Sequence, residues 1–181
     1  SNSSNYYASL GYFGQTSTIL GGEFNRYTGL FNFNTTQGKL KLRLNMNASS
    51  TNREGSVGAA GGPNADFAGA VTQIYLRRPL GDPDAVDDIT DLDDNEQPGN
   101  PKLFATTVTN NDNQTRLTGN IDATYSFNRN FSVSAKLGGN GVFATSEKYY
   151  PKETTSIGRK YNGRASIDNT VNSRILFENF L

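Results

Sequence analysis

Between Asp82 and Glu96 lie eight carboxylates (Asp82, Asp84, Asp87, Asp88, Asp91, Asp93, Asp94, Glu96) and not one base. So many hard oxygen ligands raise the question of calcium. Asp91, Asp93 and Asn95 have the Asp-x-Asp-x-Asn spacing that opens a calcium loop. The loop then fails twice. Its sixth position is Glu96, where a glycine must make the sharp turn, and its twelfth is Lys102, where a bidentate glutamate must close the shell. The run from 82 to 96 therefore reads as a solvated acidic loop, with an irregular calcium site as the alternative.

Little other chemistry is on offer. The chain has no His and no Cys, which removes the commonest general base, the commonest metal ligand and any disulfide. Carboxylate, Lys or Tyr chemistry would remain for an enzyme. No Ser-x-x-Lys occurs, and paired carboxylates outside the acidic run are sparse. The glycine-rich "EGSVGAAGGPNADFAGA" lacks the phosphate-loop pattern and reads as flexible loop. A carbohydrate-active enzyme would need two facing carboxylates at glycosidase spacing, for which the sequence gives no basis. No catalytic, cofactor or metal residue is assigned, and an enzyme is not expected.

The 181 residues suffice for one domain, yet only 34% are hydrophobic, and 19 are glycine. Abundant Asn, Thr and aromatics suit a β-rich chain with long polar connections. Net charge is zero but unevenly spread: outside the acidic run, 17 bases face the remaining 9 acids. No apolar run approaches the roughly 20 residues of a membrane helix, and nothing at the start reads as a signal peptide. A membrane β-barrel stays open, because its strands carry only a weak alternating signal.

The elements come from that alternation. In "KLKLRLNMNAS" (Lys39 to Ser49), Leu40, Leu42, Leu44, Met46 and Ala48 alternate with Lys41, Arg43, Asn45, Asn47 and Ser49. Period two also runs through Asn5 to Gln15, Arg26 to Thr36, Arg116 to Phe127 and Phe131 to Asn140, which are read as half-buried strands. Arg164 to Leu181 is expected to form two more. A two-residue turn at Gln37-Gly38 would pair Phe33 with Leu42 and Phe31 with Leu44. A three-residue turn, Asn128-Arg129-Asn130, would pair Tyr125 with Val133 and Ala123 with Ala135. The connection Thr16 to Asn25 is moderate and those from Thr51 to about Asn113 and from Gly141 to Gly163 are long, whereas the two turns are tight. Short turns on one rim and long loops on the other describe an outer-membrane barrel. Phe33, Tyr125, Phe127 and Phe131 would then stand at the periplasmic aromatic girdle. Lys41, Arg43, Arg116 and Lys136 fall on the polar faces, where they would line a lumen or simply form a charged wall.

The stretch "NYYASLGYFGQTSTILGGEFNRYTGLFNFNTTQGKLKLRLNMNAS" resembles the first barrel strands after the plug in SusC/RagA-type TonB-dependent outer-membrane transporters. The resemblance continues in "YLRRPL" (Tyr75 to Leu80), in Asn100-Pro101, in "RLTGNIDATYSF" and in "ILFENFL". It implies an all-β fold of antiparallel up-and-down strands, a segment of a transmembrane β-barrel, with residues 1–181 forming one partial barrel domain. Family members have a barrel of about 22 strands, which six or seven cannot close, so this chain is expected to be a piece of a larger protein. The implied function is import of oligosaccharides or peptides, not nucleic acid, with no cofactor. The implied partners are a SusD-like surface lipoprotein, the TonB complex and outer-membrane lipid, and the implied location is the outer membrane. The rival expectation is a soluble secreted or surface β-domain acting as a binding module.

Overall fold

A computed structural model describes residues 3–18, 20–55, 101–152 and 156–181. The acidic run, the glycine-rich stretch after Gly55 and the Tyr75 to Leu80 motif lie outside the described residues. The strands are β1 (Ser3–Thr16), β2 (Glu23–Gln37), β3 (Leu40–Glu54), β4 (Thr109–Ser126), β5 (Ser132–Tyr150) and β6 (Arg164–Phe180). They form one antiparallel sheet in sequence order, every neighbour in space being a neighbour in the chain. The fold is all-β and up-and-down, and among the described residues the sheet is open, with β1 and β6 as free edges. Among the described residues two short helices interrupt the long connections, α1 (Pro101–Thr107) and α2 (Ser156–Tyr161).

Strands of 14 to 19 residues reach about 48–65 Å at about 3.4 Å per residue, far beyond the roughly 20 Å of ordinary globular strands. Their length does not come from a core. Among the described residues only Ala105 and Val108 are buried hydrophobics, packed against Tyr150 beside α1. The sheet itself has no facing layer among the described residues. Cross-strand pairing along unbroken registers holds it, without a bulge in any ladder.

The β2–β3 turn corrects the expected pairing. The two loop residues are Gly38 and Lys39, with Gln37 opposite Leu40, so Phe33 faces Leu44 and Phe31 faces Met46. Gly38 has φ 59° while Lys39 does not share the left-handed region, which fits a turn with glycine at its first central position. The register is displaced by two residues, so every side chain keeps its expected face. The β4–β5 hairpin has the expected pairs, Tyr125 with Val133 and Ala123 with Ala135. Its turn closes through Phe127 N–H donating to the Phe131 carbonyl at 3.0 Å, and Asn128 Oδ1 accepts from Asn130 N–H at 2.9 Å.

Three connections are shorter than expected. Residues 51–54 and 109–113 belong to β3 and β4, leaving 55–108 between the strands, and β5 runs on to Tyr150. The final segment is one strand, not two. As expected, the long connection leaves from the end of the sheet opposite the Gly38 turn. Its base is clamped by Gly55 N–H donating to the Asn110 carbonyl at 3.0 Å and by Asn110 Nδ2 donating to the Gly55 carbonyl at 3.0 Å. Helix α2 ends in paired hydrogen bonds from Gly163 to Gly158 and from Asn162 to Arg159, with Asn162 left-handed at φ 56°.

Candidate functional site

Because each register is unbroken, the six strands merge their alternate residues into two continuous faces. One face is apolar. A single row crosses it as Tyr6, Phe33, Leu44, Ile121, Leu137 and Phe177, one residue per strand. The next row toward the long connections is Ala8, Phe31, Met46, Gly119, Gly139 and Ile175. On the edge strands such side chains stand in the open, Leu10 at 94% and Ile175 at 83% exposure, which leaves almost none of their burial energy realised, whereas Phe33 and Leu44 in the middle of the sheet are half-buried between their neighbours. A shallow apolar depression of about 560 Å³ lies where Gly29 and Ala48 leave room between Leu10, Phe31, Met46 and Leu117.

Aromatic rings mark both ends of the apolar band. Near the turns, Tyr125 and Phe127 meet edge-on with ring centres 4.8 Å apart, and Phe127 and Phe131 meet at a tilt of 36° with centres 5.3 Å apart. Toward the other rim, Tyr12 and Tyr27 pair at 5.0 Å across β1 and β2. Phe33, expected at the turn girdle, lies two rows further in, opposite Tyr6 and Leu44. Immediately beyond Tyr12 the face changes character. The next row reads Gly14, Asn25, Asn52, Asn113, Thr145 and Asn169, and the row after it holds Glu23, Glu54 and Glu147. Tyr12 donates its hydroxyl to Asn25 Oδ1 at 2.7 Å, and Asn25 Nδ2 donates to Glu23 Oε1 at 2.6 Å, tying the aromatic edge to the polar rim.

The opposite face is polar. It brings together all four basic residues singled out from the sequence, Lys41, Arg43, Arg116 and Lys136. Arg43 sits opposite Asp122, Asp122 opposite Lys136, and Lys136 opposite Glu178, so charge alternates along one row across four strands. The Lys136 Nζ to Glu178 Oε2 distance is 4.0 Å. The adjacent row carries Asn32, Asn45 and Asn120, with Asn45 Nδ2 donating to Asn120 Oδ1 at 3.4 Å and Asn120 Nδ2 to Asp122 Oδ2 at 3.0 Å. Thr118 donates to Asn140 Oδ1 at 3.2 Å in the row after that. A groove of about 290 Å³ near the long-connection rim is lined by Phe24, Arg53, Asp112, Gln114 and Asp168 among others.

The sequence pattern does not single out Arg26, Arg174 or Glu178, and it puts Asp122 on the polar face without showing its charged partners. The face of Arg26 follows from strand parity alone, whereas that of Arg174 and Glu178 needs the single strand β6. Among the described residues, no three His, Cys, Asp or Glu side chains gather where they could hold a metal. Among the described strands, basic residues are sorted to one face without exception. In the strands, the polar face has nine bases (Arg26, Lys41, Arg43, Arg53, Arg116, Lys136, Lys148, Arg164, Arg174) against four acids (Asp112, Asp122, Asp168, Glu178). The apolar face has no Lys or Arg at all, and its three acids share the row at the rim. No protein-family model and no curated protein matches the chain.

Proposed function

We propose that the sheet is a stretch of the wall of an outer-membrane β-barrel of the SusC/RagA, TonB-dependent type. Its apolar face meets lipid and its polar face lines the lumen. One observation carries the reading: complete sorting of strand Lys and Arg to one face, set against an apolar band of bilayer height on the other. The band runs over ten residue steps from Leu40 to Ser50. At about 3.4 Å per residue and a tilt of about 40°, that is about 26 Å along a barrel axis. The apolar band of membrane barrels is about 25 Å tall and edged by aromatics. Charge in the middle of that band would be expensive, and none is there.

On this reading the Gly38 and Asn128–Asn130 turns face the periplasm and the long connections face outward. The free edges at β1 and β6 then pair with further strands, since open edges are not tolerated in hydrocarbon. The activity that follows is import of oligosaccharides or peptides, energised through TonB, with a SusD-like lipoprotein on the outer side.

Sedimentation of the purified chain tests the membrane assignment. Self-association without detergent, resolving to monodisperse, strand-rich material in detergent, is the expected behaviour. A stable monomer in plain buffer, with Leu40, Leu42 and Leu44 buried in its own core, would instead make this a soluble binding module.

A further inference from the structure

We infer that the polar face binds an acidic oligosaccharide along a diagonal of three arginines, Arg26, Arg116 and Arg174. The inference rests on the barrel-wall reading for its setting and goes beyond it in naming the charge of the ligand. The three side chains share the polar face, on β2, β4 and β6. Arg26 lies in the row of Thr51 and Gln114, Arg116 one row nearer the turns, and Arg174 one row nearer still, level with Thr118 and Asn140. Each step therefore crosses two strands and one row. With strands about 4.8 Å apart and about 3.4 Å of rise per residue, successive Cα atoms are about 12 Å apart.

Two features mark these arginines. The rows they occupy hold no acid on any strand, as do those of Lys41, Lys148 and Arg164 nearer the rims, whereas Arg43 and Lys136 interleave with Asp122 and Glu178, and Arg53 faces Asp112. All three are exposed, and among the described residues none makes an ion pair. Arg26 lies over the Phe13 ring at 5.6 Å, which holds its guanidinium against the wall. Net positive charge on a wall rich in uncompensated guanidinium groups favours anions, and the planar fork suits carboxylate and sulfate oxygens.

The ground between the arginines argues for sugar over peptide. Asn47, Ser49, Thr118, Asn140 and Asn172 present amides and hydroxyls, donors and acceptors suited to sugar hydroxyls. The backbone of β2 to β5 is fully engaged with neighbouring strands, and in a barrel wall the edges of β1 and β6 are paired as well, so this face then offers no edge on which a peptide main chain can add.

Titration calorimetry on the detergent-solubilised protein tests the inference. The probes are oligogalacturonate (carboxylate only), a carrageenan oligosaccharide (sulfate only), neutral maltohexaose and oligoglutamate. At least one anionic sugar should bind more tightly than maltohexaose and oligoglutamate, with affinity falling as salt rises. The two anionic probes tell which acid group is preferred. Joint Arg26→Gln, Arg116→Gln and Arg174→Gln substitution should weaken that binding by roughly tenfold or more, since each removed guanidinium takes charge-assisted hydrogen bonds with it. Circular dichroism and monodispersity check the fold, and if the triple variant misfolds, the Arg116→Gln and Arg174→Gln variants are measured singly. Equal binding of maltohexaose, tighter binding of oligoglutamate, unchanged affinity in the variants, or no binding by any probe overturns the inference. Loss of the detergent requirement alone would instead overturn the membrane assignment, because the arginine face is the same in either setting.

Discussion

Leu44 and Asn45 are consecutive residues, yet they belong to different surfaces. Leu44 continues an apolar row through Phe33, Ile121 and Leu137, whereas Asn45 continues an amide row through Asn32 and Asn120. Nothing in the backbone distinguishes the two faces; the same ladder of hydrogen bonds serves both. The difference lies wholly in which side chains alternate, and it persists across six strands because no bulge disturbs the parity. A globular sheet with one wet face covers the other with a second layer. Here no second layer among the described residues covers the apolar face, and the strands run far longer than a core would require. On the barrel-wall proposal the two faces meet two solvents.

The largest effect should come from putting a charge on the wrong face. Leu44→Arg sits near the middle of the apolar band and should cost about 2–4 kcal/mol of folding stability in bilayers. Asn45→Arg, one residue on, should cost far less. Urea titration of both variants in liposomes checks this, and equal losses would erase the distinction between the faces. A smaller effect is expected at the band's edge. Tyr12→Ala removes the ring paired with Tyr27 and the hydroxyl held by Asn25, and should cost about 0.5–1.5 kcal/mol beyond lost burial. The same titration, extended to this variant, reads it.

The faces were legible in the sequence and the pairing was only partly so. Lys39 to Ser49 separates polar from apolar at every step, which is sufficient to assign parity. It does not say whether Gly38 is the first or second residue of the turn, and that choice moves every partner by two. The ends of the strands were hidden for a different reason. Thr51 to Glu54 and Thr109 to Asn113 are polar on both sides, so they carry no period; they are strands because their neighbours' backbone groups need partners. In β6, Asn169, Ser173 and Asn179 interrupt the apolar side while Leu176 and Phe180 occupy the polar one, which blurred a single strand into two. The arginine diagonal needed the registers themselves, since Arg26, Arg116 and Arg174 are far apart in the chain.

The smallest effect concerns the charge row. Asp122→Asn removes the acid between Arg43 and Lys136, and should cost about 0.2–1 kcal/mol, less in high salt. A loss that persisted undiminished at high salt would show that Asp122 acts through packing and not through charge.

The most direct test of the two-solvent account is a cysteine scan along β3. The chain has no cysteine of its own, so each introduced thiol reports alone. Single substitutions from Leu40 to Asn47 are reconstituted into bilayers and treated with a membrane-impermeant maleimide. The account predicts labelling at Lys41, Arg43, Asn45 and Asn47, and protection at Leu40, Leu42, Leu44 and Met46. Uniform labelling along the strand, or protection confined to the odd-numbered positions, would contradict it.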